Sequence, residues 1–257
     1  MRAKTVVFFA CGLLMIVGFA SAEMTVEEII AANLEAKGGE EAWKALETGR
    51  LTGKMMMGGG ATGAIEMPFI VEFKDPDNIR LEFTMQGMTA IQAFDGEVGW
   101  SIMPFLGKTE PEEMAEDQLK QLKNQADFKG VLVDYETKGH TVELEGAEEV
   151  DGTPAYKLKV TRADGDIDYL YLDQEYFVEF KTEAVREVQG TEVTVTVDIG
   201  DYKEVDGLLF AHSMEMSFGS GPAQQVITVE SIETGIDLPD DRFAMPAKTE
   251  AEAPAAE

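Results

Sequence analysis

Apolar and polar positions change period twice along the chain. Val26, Ile29, Ile30 and Leu34 fall on one face of a helix. Thr25 and Glu28 stand at capping-box spacing ahead of it, and Gly38-Gly39 supplies a stop. A second short helix is predicted from Glu40, carrying Trp43 and Leu46. From Gly49 the period becomes two. Ile65, Met67, Phe69, Val71 and Phe73 alternate with Glu66, Pro68, Ile70, Glu72 and Lys74. After a turn at 75–78, Ile79, Leu81, Phe83 and Met85 alternate with Arg80, Glu82, Thr84 and Gln86. Strands over 88–94 and 98–103 follow, on either side of Asp95-Gly96. Thr109 to Glu112 repeats the capping-box spacing with Pro111 in the first turn, and Ala115, Leu119, Leu122 and Ala126 continue it, which predicts a helix over 110–124. Further strands are expected around 156–160, 167–171, 176–180, 193–199, 208–218 and 225–232. Asp-Gly and Gly turns at this spacing predict an antiparallel meander of about 11 strands, a mainly β (α+β) fold.

A sheet of that width, roughly 50 Å, must curl as its twist accumulates. Curling gives a half-open barrel with a concave apolar face. The N-terminal helices and the mid-chain helix are the candidates to cover it, and the weak apolar stripe of Leu119 and Leu122 makes the latter a candidate lid. Methionine sharpens this picture. The chain has 14, and Met55, Met56, Met57, Met67, Met85, Met88, Met214 and Met216 lie in predicted strands, where β-branched residues are usual. Flexible, polarizable methionine lines surfaces that fit varied apolar partners, but it also fills ordinary cores, so the pattern alone leaves both readings open. The candidate cavity lining is Met55, Met67, Phe69, Val71, Leu81, Phe83, Met85, Trp100, Phe210, Met214 and Met216.

The N-terminus changes the expected compartment. Arg2 and Lys4, an apolar run from Val6 to Phe19, and Ala20-Ser21-Ala22 have the three parts of a secretory signal, with cleavage expected after Ala22. The run is shorter than the ~20 residues of a spanning helix. The lone cysteine, Cys11, falls inside the signal, so the mature chain is expected to lack disulfides and thiol chemistry. The expected organisation is a signal over 1–22, one domain over 23–246 and a disordered acidic tail over 247–257. Losing Arg2 and Lys4 takes the net charge from −28 to −30. That argues against nucleic acid and against docking on an anionic membrane; it favours a soluble, self-repelling monomer or a basic partner.

Catalytic signatures are missing. The two histidines, His140 and His212, sit in no metal spacing, and no Gly-x-Ser-x-Gly elbow or phosphate loop occurs. Gly58-Gly59-Gly60 reads as a flexible hairpin. No metal, no cofactor and no catalytic residue are expected. A hydrolase using His212 with an acidic partner is the enzyme alternative, without a partner at a telling spacing.

Several short segments, in order, carry a resemblance. They are Ala36-Lys37-Gly38-Gly39, then 43–53, Asp95-Gly96-Glu97-Val98-Gly99-Trp100, Asp127-Phe128, Asp134-Tyr135, 152–158 and 201–210. With these the chain resembles the outer-membrane lipoprotein-sorting proteins, the LolA/LolB-like superfamily, over most of its mature length. The resemblance implies a half-closed antiparallel barrel covered by helices, an acyl-chain cavity and non-enzymatic transport. Members that carry lipoproteins fasten the lid with a barrel arginine; neither Arg50 nor Arg80 is assigned that role, and Ala211 stands where many relatives have proline. The expectation is a soluble periplasmic carrier of a lipid or lipoprotein acyl chain, served by an inner-membrane exporter or an outer-membrane acceptor. The alternative is an envelope protein-interaction module with a filled core.

Overall fold

The computed structural model describes residues 24–58, 63–188, 191–219 and 223–247, with only the backbone described at 186–188 and 191. The expected signal and all but the first residue of the expected tail lie outside the described residues. Helix α1 (Val26–Ala36) opens the described chain with the expected capping box: the Glu28 amide donates to the Thr25 hydroxyl, and the Thr25 amide to the Glu28 carboxylate. After it come Gly38-Gly39 and α2 (Glu40–Ala45). Gly38 is required here, since a Cβ would stand 2.2 Å from the Gly207 carbonyl oxygen and φ is +109°.

The remaining elements are β1 (Thr48–Met57), β2 (Ile65–Lys74), β3 (Asn78–Met85), β4 (Met88–Phe94), β5 (Gly99–Met103), β6 (Lys108–Glu113), α3 (Glu116–Ala126), β7 (Thr141–Val150), β8 (Thr153–Thr161), β9 (Ile167–Asp173), β10 (Glu179–Val188), β11 (Thr191–Val205), β12 (Leu208–Phe218) and β13 (Gln225–Thr234). They build one curled, unclosed 13-stranded antiparallel sheet in the order β6-β5-β4-β3-β2-β1-β13-β12-β11-β10-β9-β8-β7. Every neighbour pair is consecutive in the chain except β1 with β13. Gln86-Gly87, Asp151-Gly152 and Asp206-Gly207 each pair two positive φ values, the two-residue turn that suits the twist of a hairpin.

The two strands beyond the expected eleven include the sheet's outer edges, β6 and β7. The capping-box reading at Thr109–Glu112 was wrong: that stretch is β6, and Lys108 holds Glu112 at 2.8 Å across it. Pro111 is tolerated because an edge strand has amides without a ladder partner. The helix instead begins at Glu116, behind Ala115, with no side-chain cap but with Glu116 and Asp117 in its first turn. Strand β10 begins at Glu179 rather than Tyr176, because the Glu175 and Tyr176 amides are tied into a turn by the Asp173 carboxylate.

The main core lies between the concave face and its cover. Ile29, Ile30 and Leu34 of α1 and Trp43 of α2 pack with Leu132 and Val133 against Phe73, Leu158, Val160, Leu170, Leu172 and Leu208. On the convex face, the segment from Leu238 to Phe243 crosses β2, β3 and β5. Phe243 is wholly buried there. Buried Glu72 is held by Arg50 Nε at 2.9 Å and Arg242 Nε at 2.6 Å, and Glu82 by Arg80 Nε at 2.7 Å and Arg242 Nη2 at 2.8 Å.

Candidate functional site

Strand register decides which side chains share the concave face, since directly opposed residues point the same way. Met55 opposes Met67, Phe69 opposes Phe83, and Val71 opposes Leu81. Met55 also opposes Ile227, which opposes Met214; Met214 and Met216 oppose Ile199 and Val197. Met85 continues the face of Phe83 at the β3 tip. Met55, Phe69, Val71, Phe83, Phe210 and Met214 pack into one cluster with Val229 and Ile232.

Trp100 does not belong with them. It opposes Ala93, which opposes Arg80, so it lies on the convex face. Its indole Nε1 donates to the Phe243 carbonyl at 2.7 Å, and the Arg80 guanidinium lies 5.5 Å from the ring. Arg50 and Arg80 face the same way, toward the C-terminal segment, so neither reaches the lid side of the sheet.

A cavity of about 500 Å³ opens beside the packed cluster, on β9 to β12. Its apolar wall is Leu170, Val195, Val197, Ile199, Phe210 and Met214, and Thr182, Ala184 and Ala211 leave the room. Trp43 and residues 127–131 close it from above. Of the residues expected to line a cavity, Phe210 and Met214 line this one. The signal for the rest was present: Val193, Val195, Val197 and Ile199 alternate cleanly. Methionine drew attention to the N-terminal limb, whereas the space comes from small residues on β10.

Polar groups mark both ends of this wall. At one, Lys37 meets Glu179 at 3.1 Å and the Tyr202 hydroxyl donates to the Glu179 carbonyl at 2.6 Å. At the other, Arg162 pairs with buried Asp168. Glu179 and Ala184 are five residues apart on β10, roughly 16 Å of strand. Burial by itself would raise the Glu179 pKa; the Lys37 ammonium and local hydrogen bonds outweigh it and hold the carboxyl below its ordinary value. Burial, then Glu179, pushes the Tyr202 phenol up. A depressed carboxylate contributes stability that is complete above its unfolded pKa and is lost as pH falls through the folded one. Thermal melts should therefore show an acid-side loss of stability below the ordinary glutamate range, and Glu179→Gln should flatten that limb. An unchanged limb in the variant would sink the assignment.

Leu122 and Ala126 of α3 pack on Ile79 and Phe94, with Leu119 beside them and close over Gly99. Beyond the helix, Phe128 stacks on Phe73 with ring centroids 3.6 Å apart. On the far limb, Lys120 pairs with Asp164 at 3.0 Å and Asp166 at 2.9 Å. The segment from α3 to residue 140 thus joins the sheet's two outer edges across the open side. Leu119 and Leu122 seat this segment, while 127–131 cover the cavity. Buried His212 places Nδ1 3.1 Å from the Phe210 carbonyl oxygen, the hydrogen bond of a core histidine. Among the described residues no three His, Cys, Asp or Glu side chains stand close enough to share a metal ion.

No family model matches this chain. No curated protein matches it either. Solved structures do. A LolA superfamily protein from Nitrosomonas europaea superposes with a TM-score of 0.59 at 17% identity, over 86% of this chain and 98% of that one. A DUF1329 family protein from Desulfovibrio piger gives 0.58 at 12%, over 84% and 97%. A putative outer membrane lipoprotein-sorting protein domain from Vibrio parahaemolyticus gives 0.55 at 14%, over 82% and 95%. The curled, half-open antiparallel sheet with its helices is thus a LolA-like fold.

Proposed function

We propose that this protein is a non-enzymatic carrier that takes an acyl chain of a lipid or lipoprotein into the concave cavity and moves it between envelope membranes. One observation carries the reading: an open space of about 500 Å³ walled by branched, aromatic and methionine side chains on a LolA-like sheet. A filled interaction module has no use for such a space. The sorting-domain description of one structural neighbour supports the reading. Each buried CH₂ contributes ~0.8 kcal/mol, so a chain needs no covalent chemistry to be held. In this reading α3 and 127–131 form the lid, and Met67, Phe69, Val71, Leu81, Phe83, Met85 and Met216 extend the apolar surface beyond the cavity. The compartment is the periplasm, with an inner-membrane exporter or outer-membrane acceptor as donor and receiver.

Solvent extraction of the purified protein, followed by mass spectrometry, should recover acyl lipid, and a fluorescent fatty acid should bind. Val197→Asp places a charge on the cavity wall and should weaken probe binding by at least about tenfold, the equivalent of losing two buried methylenes. A protein that yields no lipid and binds no probe would be the filled module instead.

A further inference from the structure

From β6 to β12 the sheet has two ends of opposite character, while on the far limb the turn between β8 and β9 carries Arg162, Asp164 and Asp166. The antiparallel register places the β1–β2, β3–β4, β5–β6 and β12–β13 connections at one end, because Met57 opposes both Ile65 and Gln225, Met85 opposes Met88, and Met103 opposes Lys108. Among the described residues eight large apolar side chains stand exposed, and all but Tyr176 lie toward that end. Met57, Ile65, Met88, Leu106 and Phe218 are 37% to 68% exposed there. The sequence is correspondingly bare of charge: no Asp, Glu, Lys or Arg occurs in 55–65, 83–94, 98–107 or 216–229, in a chain that is 27% charged. The opposite end is acidic at nearly every turn, with Asp75, Asp77, Asp95, Glu97, Asp151, Asp173, Glu175 and Asp206.

We infer that this uncharged rim docks on a zwitterionic lipid bilayer and inserts its hairpin tips into the interface. Three observations choose that occupant. The tips belong to eight adjacent strands, β6 through β1 and on to β13 and β12, a line roughly 34 Å long. They stand as separate apolar points, which suits a fluid apolar layer better than one contiguous patch on a folded partner. Lys108 beside the β5–β6 tip is paired with Glu112, the other tips carry no lysine or arginine, and the chain's net charge of −28 repels an anionic surface and a second copy alike. Finally, Phe218 opposes Val195 of the cavity wall, and Met216 and Met214 run inward from it on the same face. An apolar path therefore joins rim to cavity. No helix among the described residues is long and apolar enough to cross a membrane, so the contact is made by the tips. Docking stands on these features alone; its use as the transfer face rests on the carrier reading.

Co-flotation with phosphatidylcholine vesicles tests it. The protein should float with them, and replacing part of the lipid by phosphatidylglycerol should reduce the bound fraction. The double variant Met57→Asp, Leu106→Asp should bind vesicles at least about tenfold less, as expected for losing two inserted apolar side chains. Its melting temperature and its affinity for a fluorescent fatty acid in solution should be unchanged. If that variant fails to fold, Leu106→Ser with Met88→Ser is read in its place. A parent protein that does not float, a folded variant that floats as well as the parent, or binding that rises with anionic lipid would each overturn the inference. So would a parent that is dimeric without vesicles and a variant that is monomeric, which would make a second copy the occupant. A parent that floats but binds no fatty acid keeps the docking and sinks the carrier reading; one that binds fatty acid but never floats does the reverse.

Discussion

Phe73→Ala should destabilise the protein by about 3–5 kcal/mol, the largest loss expected from a single truncation in the core. Phe73 is 1% exposed and belongs to the cluster that joins both N-terminal helices to the sheet. Its ring also carries Phe128, stacked at 22° between planes. Beneath the ring, Gly49 leaves space that even a methyl group would fill, since a Cβ there would stand 2.2 Å from Phe73 Cζ. Truncation thus opens a cavity on the sheet side and releases the cover on the other. Urea denaturation should report the loss, and fatty-acid affinity should fall with it because 127–131 lose their seat. A cost below about 1 kcal/mol would mean that the site collapses freely and the cover is held elsewhere.

Glu72→Ala should cost about 3 kcal/mol. Its carboxylate is 2% exposed and accepts from two guanidinium groups, Arg50 and Arg242. Removing the shared carboxylate leaves Arg50 with Glu233 alone and Arg242 with Glu82 alone. The expected loss sits at the low end of the usual range because both arginines are about a third exposed and water can reach them. The effect should also be local. With Glu72 gone, Arg242 retains Glu82, yet the segment around Phe243 loses one of its anchors. Limited trypsin digestion should cut after Arg242 markedly sooner in the variant. An unaltered digestion rate would show that Phe243 and its bond from Trp100 suffice.

The centre of the sheet was legible and its edges were not. Strands β2 and β3 carry an apolar residue at every second position because one face meets the core. Strand β6 carries Lys108, Glu110, Glu112 and Glu113, and β7 carries four glutamates, so neither reads as a strand. Edge strands are charged for a reason: their open ladder would otherwise recruit other chains. The capping-box spacing at Thr109 misled because the motif is local, whereas pairing with β5 is set from outside it. The cavity was half legible. Phe210 and Met214 were found from alternation, but Thr182 and Ala184 have no pattern of their own; a space is made by what is missing. Trp100 was misplaced for a related reason. Its strand is buried on both faces, so hydrophobicity there carries no side, and the covering residue, Phe243, lies 143 residues away. The alternation likewise put Glu72 on the solvent face of β2, but the segment from Leu238 to Phe243 covers it.

The strand order has a consequence for assembly. Strands β1 to β6 form one meander and β7 to β13 another, each joined only by nearest neighbours in sequence. A single seam, Gly49 with Thr234 through Met57 with Gln225, unites them. Contacts within each meander close short loops, whereas the seam closes nearly the whole chain, an entropic cost met once and late. The two halves can therefore gain hairpins independently, and the concave surface exists as one surface only after that zipper shuts.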